Sequence, residues 1–146
     1  NSEEPKYIIL AYNPVKSKRD FEEWYKTNCF RVNTNIAGGL PEGSKVLLYH
    51  DGYIRGGFSV VRFEIIDTPQ TEKEWELYHK LTNYPVTLYS ENIENIKKNY
   101  TKYHIFYDEF FLSPIRVKLS DHLNKKMNAN GLLKISKEEY YDIIGR

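Results

Sequence analysis

The stretch Leu40-Pro-Glu-Gly-Ser-Lys-Val-Leu-Leu-Tyr-His50, then Asp51-Gly52, then Tyr53-Ile-Arg-Gly-Gly-Phe-Ser-Val-Val61, decides the fold. Ser44 to His50 is a short apolar run of strand formers. Asp51-Gly52 is a hairpin signal, because a two-residue turn that matches strand twist needs positive φ at both positions. Tyr53 to Ile66 returns as a long strand-pair candidate, interrupted by Gly56-Gly57. Two adjacent glycines inside a strand mark a bulge or a close backbone approach. Alternation within Ser44 to His50 puts either Leu48 or Tyr49 inside.

Upstream, Lys6 to Tyr12 reads as a buried strand that the turn signal Asn13-Pro14 ends. Ser17 to Lys26 places Phe21, Trp24 and Tyr25 at helical spacing, with Ser17 or Asp20 able to cap, and Trp24 reads as core with Phe21 and Tyr25 completing its stripe. Cys29 to Asn33 is a second short apolar run, and Asn35 to Gly43 is a turn-rich loop. Downstream, Thr71 to Leu81 reads as an amphipathic helix with Trp75, Tyr78 and Leu81 on one face. Ser90 to Tyr100 has helical spacing at Ile93, Ile96 and Tyr100 but is ambiguous. Tyr103 to Phe111 and Ile115 to Leu119 read as two strands separated by Ser113-Pro114. A last helix starts at Ser136, where Glu139 three residues on completes a capping box. Strands outnumber helices and hairpins outnumber crossovers, which favours an α+β domain around a small, curved, mostly antiparallel sheet or barrel flanked by helices.

The 146 residues, 40% hydrophobic and 15% aromatic, suit one compact domain over residues 1–146. A start at Asn1 and a stop at Gly145-Arg146 straight after a helix also suit a domain excised from a longer chain. Twenty-one basic against 20 acidic residues give a net charge of +1, which excludes a polycation held to nucleic acid by its overall field. Any polyanion site is local. The single Cys29 cannot close an internal disulfide, so a reducing, cytoplasmic setting is expected. No run reaches the roughly 18 apolar residues of a membrane helix.

Motifs for catalysis are missing from the sequence. His50, His79, His104 and His122 are scattered, none shares a short motif with another ligand or with Cys29, and no metal or cofactor is expected. There is no nucleophile elbow, phosphate loop or dinucleotide fingerprint. Asp108 and Glu109, being adjacent, point to opposite faces of a strand and make no facing carboxylate pair. No catalytic residue is assigned. What stands out is thirteen Tyr, seven Phe and two Trp, several beside Asn, Arg or Lys. Rings pack cores, and rings with amide neighbours also suit a flat heterocycle held by stacking and edge hydrogen bonds.

Two of these segments together resemble the EVE domains of the PUA-like superfamily, relatives of the YTH domains. Tyr7-Ile-Ile-Leu-Ala-Tyr-Asn-Pro14 is similar to that family's opening strand, and Leu40 to His50 to its Gly-Asp-x-Val-Leu-Phe-Tyr-His strand. Ile54 to Val61 resembles the return strand, and Phe30-Arg-Val-Asn33 sits where the family carries Val-Arg-Asn or a pocket tryptophan. Asn13, Ser44 and Phe30 depart from the family's acid, Asp and Trp.

The resemblance implies a PUA-like curved barrel and a reader that flips a modified base into an aromatic pocket, N6-methyladenine ahead of 5-methylcytosine. It places Tyr12, Asn13, Phe30, Asn33, Tyr49 and Tyr53 around that pocket. Arg55, Lys97, Lys98 and Lys102 are candidate phosphate contacts, or simply a solvated face. The partner implied is modified DNA, with a fused or associated motor or nuclease subunit of a McrBC-type restriction system and no membrane. A reader of RNA is the first alternative, and a small hydrolase the second.

Overall fold

In a computed structural model, the structure describes residues 4–13, 24–25, 28–32, 35–36, 38–82, 93–98 and 100–145. The order is β1 (Tyr7–Ala11), β2 (Cys29–Val32), β3 (Lys45–His50), β4 (Tyr53–Ile65), α1 (Glu72–Thr82), α2 (Ile93–Lys98), β5 (Tyr103–Lys118), a 3-10 turn (Leu119–Asp121), β6 (Leu132–Ile135) and α3 (Lys137–Ile144). The strands form one mixed sheet in the order β2-β5-β4-β3-β1-β6. Among the described residues only the β1–β3 pair is parallel, and the other four pairings are antiparallel.

Both faces of the sheet are apolar, because strict alternation sends neighbouring residues to opposite sides. Ile8, Leu10, Val46, Leu48, Phe58, Val60, Ile105 and Tyr107 face one core, in which Trp24 is fully buried. Ile9, Leu47, Ile54, Leu133 and Ile135 face the other, where Leu119, Leu123, Tyr140 and Ile143 cover them. Leu48 is therefore the inward residue of the alternative left open by sequence, and Tyr49 packs on the outer side. Phe30 of β2 and Leu132 of β6 stand at opposite edges of the sheet yet share the inner core. The sheet has curled until its edges approach each other.

Asp51 (φ 54) and Gly52 (φ 89) make the two-residue turn expected between β3 and β4. The expected strand pair over Tyr53 to Ile66 is instead one strand of 13 residues, bent rather than broken at its glycines. Register shifts flank Gly56 and Gly57, so both the bulge and the close approach occur there. Tyr103 to Lys118 is likewise one strand, not two. Pro114 is accommodated because Leu112 pairs with Gly56 and Val117 with Ile54, which leaves the residues between them bulged off the ladder where no N–H is needed.

Other expectations change at single side chains. Tyr25 is 57% exposed and does not complete a buried stripe with Trp24. Its hydroxyl accepts from the Leu112 amide instead. The helix expected over Ser17 to Lys26 otherwise lies outside the described residues. Leu81 is 44% exposed, so the buried face of α1 is Trp75, Tyr78 and Thr82. The ambiguous Ser90 to Tyr100 segment contains α2, and β6 was not expected at all. The capping box at Ser136 and Glu139 is present in both directions, and Gly145 closes α3 in a left-handed conformation. No helix among the described residues is long and apolar enough to cross a membrane.

The close approach at the glycines is a strong constraint. A Cβ on Gly57 would stand 2.6 Å from the Val46 carbonyl oxygen, and one on Gly56 would collide with the Phe111 carbonyl. Gly57→Ala is expected to lower stability by about 1–3 kcal/mol, or more if the strands cannot shift. The urea midpoint reports it, against Gly52→Ala, where no atom lies within 4 Å of the added carbon and only backbone strain is felt.

Candidate nucleic-acid interface at the sheet seam

Of the six residues expected to line one pocket, the five that are described do not gather around a common hollow. Tyr12 and Phe30 do meet, with ring centroids 5.8 Å apart, but both are core residues, 5% and 8% exposed. Trp24 fills the space beside them, its ring 5.0 Å from Tyr12 and 4.5 Å from Phe30. It also stacks on Phe58 at 5.6 Å. The Tyr49 ring lies on the outer face, although its carbonyl accepts from the Tyr12 amide across the strands. Tyr53 is half-buried at the start of β4, opposite His50, and Asn13 is exposed just past β1. Asn33 lies outside the described residues. The physical reason is alternation: Tyr12 and Tyr49 belong to opposite faces of one sheet.

A hollow does exist where the sheet edges approach. It is a half-open cleft of about 170 Å³ lined by Leu10 and Ala11 of β1, Phe30, Arg31 and Val32 of β2, Ile36, and Asn130, Gly131 and Leu132 at β6. Strand β2 is an edge, so its chain carries residues to the rim. At the other rim the Asn130 Oδ1 accepts from the Leu132 amide, which fixes the orientation of the carboxamide. The Gly131 carbonyl accepts from the Ala11 amide, holding this rim against β1. The lining residues thus include an aromatic residue, an arginine and an asparagine. Sequence reasoning named Phe30 but missed Asn130, although Asn128-Ala-Asn-Gly131 is a turn signal directly before an apolar run.

The four candidate phosphate contacts are split. Lys97 and Lys98 are exposed on α2, and Lys102 is exposed just before β5. Val32 pairs with Tyr103, so Lys102 adjoins the strand that lines the cleft. Arg55 is exposed near the opposite end of β4, ten residues from Ile65, or roughly 30 Å along the strand. A larger groove of about 440 Å³ runs between Ile66–Gln70 and α1, with apolar walls that include Leu77 and Leu81. It contains none of the residues expected as base-pocket or phosphate contacts.

Two polar arrangements escaped sequence reasoning because they join residues far apart in the chain. Cys29 Sγ lies 3.8 Å from His104 Nδ1, and His104 Nε2 donates to the Thr101 carbonyl at 2.9 Å. Both side chains are completely buried. Burial is the main reason that the His104 pKa falls to about 4, ahead of the Arg31 charge, while the Thr101 bond and Glu64 oppose it. The imidazole is therefore neutral and offers no positive charge to hold a thiolate, so the pair is structural rather than nucleophilic. The second arrangement joins Lys45, Ser59 and Glu109 on the outer face. Among the described residues no group of three or more His, Cys, Asp or Glu could hold a metal.

No protein-family model matches the chain, and no curated protein does. Solved structures do match. A point mutant of the ASCH protein from Zymomonas mobilis superposes with a TM-score of 0.64 at 10% identity, covering 97% of this chain and 98% of that one. A hypothetical protein from Leishmania major gives 0.57 at 17% identity, covering 99% and 96%. The N-terminal domain of McrB from Staphylothermus marinus gives 0.51 at 11% identity, covering 99% and 96%. The fold is PUA-like. In this PUA-like domain the cleft lies at the open seam, bounded by both edge strands.

The buried histidine makes stability depend on pH. Its folded pKa of about 4 lies below the unfolded value near 6.5, so the unfolded chain binds the extra proton between them. Stability is expected to be full above about pH 6.5 and to fall by up to about 3 kcal/mol as pH drops to 4. Urea titrations across that range check this, and His104→Gln is expected to flatten the loss.

Proposed function

We propose that this PUA-like domain binds nucleic acid and receives one everted base in the seam cleft, with a modified base in DNA as its favoured ligand. The observation that carries the reading is the cleft itself. Its 170 Å³ equals the volume of about five or six waters, and it is below the roughly 300–1,000 Å³ of drug-sized sites. That suits a single heterocycle with its sugar and phosphate left outside. Phe30 offers ring contact, Arg31 and the Asn130 NH₂ offer edge donors, and Lys102 with α2 offers positive charge near the rim.

Flipping costs a few kcal/mol of stacking and pairing, which contacts in the cleft must return. A methyl group on the base adds about 0.8 kcal/mol through burial, enough for about fourfold discrimination. N6-methyladenine and then 5-methylcytosine are the preferred ligands, on the strength of the EVE-like strands in the sequence. The likeness to the McrB N-terminal domain supports a role as the recognition module of a modification-dependent restriction system, beside a motor or nuclease subunit. A reader of modified RNA would use the same cleft, and competition between methylated DNA and RNA oligonucleotides separates the two.

Phe30 is too deeply packed to be the best probe, so the test uses the rim. Anisotropy titrations of matched methylated and unmethylated oligonucleotides at two salt concentrations are expected to show a methyl preference. Asn130→Ala and Arg31→Ala are each expected to weaken binding about tenfold. Lys102→Ala is expected to keep the preference and lower the salt slope by about one. Binding that is unchanged in both rim variants would remove the cleft from the account.

A further inference from the structure

Lys45, Ser59 and Glu109 form a hydrogen-bonded row on the outer face, away from the seam. Lys45 Nζ donates to Ser59 Oγ at 2.7 Å, and that hydroxyl donates to Glu109 Oε1 at 2.9 Å. The ammonium and the carboxylate are themselves 4.0 Å apart. Lys45 and Ser59 are register partners on β3 and β4, so their side chains stand side by side. Ser59 is 9% exposed, while the Lys45 and Glu109 side chains, 27% and 73% exposed, reach solvent.

Glu109 reaches Ser59 only through a local irregularity. Gly57 pairs with Phe111 but Ser59 pairs with Asp108, so β5 holds one residue more than β4 at this point. Glu109 takes φ +53 inside that bulge, a left-handed conformation unusual for a side chain with a Cβ. An exposed ion pair contributes too little stability to account for such a conformation. Strained residues at bulges commonly re-aim a side chain toward chemistry.

Tyr7, the register partner of Lys45 on β1, carries an aromatic wall alongside. Its ring is 5.2 Å from Tyr140 and 6.4 Å from Tyr141. Burial, with Tyr141, Tyr7 and the Glu109 carboxylate adding, pushes the Tyr140 hydroxyl up to about 12, so this wall stays neutral.

We propose that Ser59 is a nucleophile for acyl transfer, with Glu109 as its general base and Lys45 as the cation facing the developing oxyanion, acting on small carboxylic esters. Ser59 Oγ bonds to the ester carbonyl carbon as its proton passes to the Glu109 carboxylate, and the carbonyl oxygen takes the negative charge beside Lys45 Nζ. Collapse breaks the bond to the leaving alcohol, which takes the proton back from Glu109 and leaves an acyl-Ser59. Water then attacks the acyl carbon, giving its proton to Glu109. Ser59 Oγ leaves with that proton, and the carboxylic acid departs. No oxidant or cofactor enters the balance.

The test uses p-nitrophenyl acetate with the full chain, together with mass mapping of the acetylated peptide. Wild type is expected to release nitrophenol above the buffer rate and to carry the acetyl group on Ser59. Ser59→Ala is expected to abolish both signals, Glu109→Gln to slow release about 100-fold or more, and Lys45→Met to slow it about 100-fold. A wild type with no turnover overturns the proposal, as does acetylation mapped to a residue other than Ser59. The mapping is made on wild type, so it decides the matter even if a variant fails to fold.

Discussion

The packing of Trp24 inside the curled sheet is the constraint on which the rest of the molecule depends. Its ring touches Tyr12, Phe30, Phe58, Tyr107 and Phe110 at centroid distances of 4.5–5.8 Å. The Tyr107 hydroxyl donates to the Trp24 carbonyl at 2.8 Å, which fixes the backbone as well as the ring. Each aromatic pair adds about 0.5–1.5 kcal/mol beyond the area it buries, so this cluster ties strands from across the sheet to one point. Among the described residues these rings fill the space around Trp24 inside the curled sheet. The proposed binding site lies where this filling stops, at the seam between the two edge strands.

Much of this was legible from local pattern. Lys6 to Tyr12, Ser44 to His50 and the Asp51-Gly52 turn appear close to where apolar runs and turn residues put them, because each depends on a few neighbouring residues. The capping box of α3 is equally local. The expected breaks at Gly56-Gly57 and at Pro114 did not materialise as strand ends, since pairing along β4 and β5 absorbs both as bulges. Strand β6 was missed because four residues between a turn and a helix carry little periodicity, and its place beside β1 is a tertiary fact.

The site was less legible than the fold, for the same reason. An aromatic followed by amides looks alike whether the ring lines a cleft or a core; Tyr12 packs in the core, and Phe30 packs there while also lining the cleft. Alternation sent Tyr49 to the other face, which no single motif discloses. The Cys29–His104 contact and the Lys45–Ser59–Glu109 row join residues separated by 14 to 75 positions. Adjacent Asp108 and Glu109 would indeed diverge in a regular strand; the left-handed turn at Glu109 supersedes that rule.

The two faces of the domain accordingly offer different chemistry. The seam presents a half-open hollow of about 170 Å³, and the outer face presents a hydroxyl between a cation and a carboxylate. The central claim is that ligand reaches the seam, where the filling around Trp24 stops. Backbone amide shifts recorded by NMR while a methylated oligonucleotide is titrated test it most directly. The account predicts that the largest changes fall on Arg31, Val32 and Asn130 to Leu132. Changes concentrated on Tyr49, Tyr53 and the outer face, with those seam amides unmoved, would contradict it.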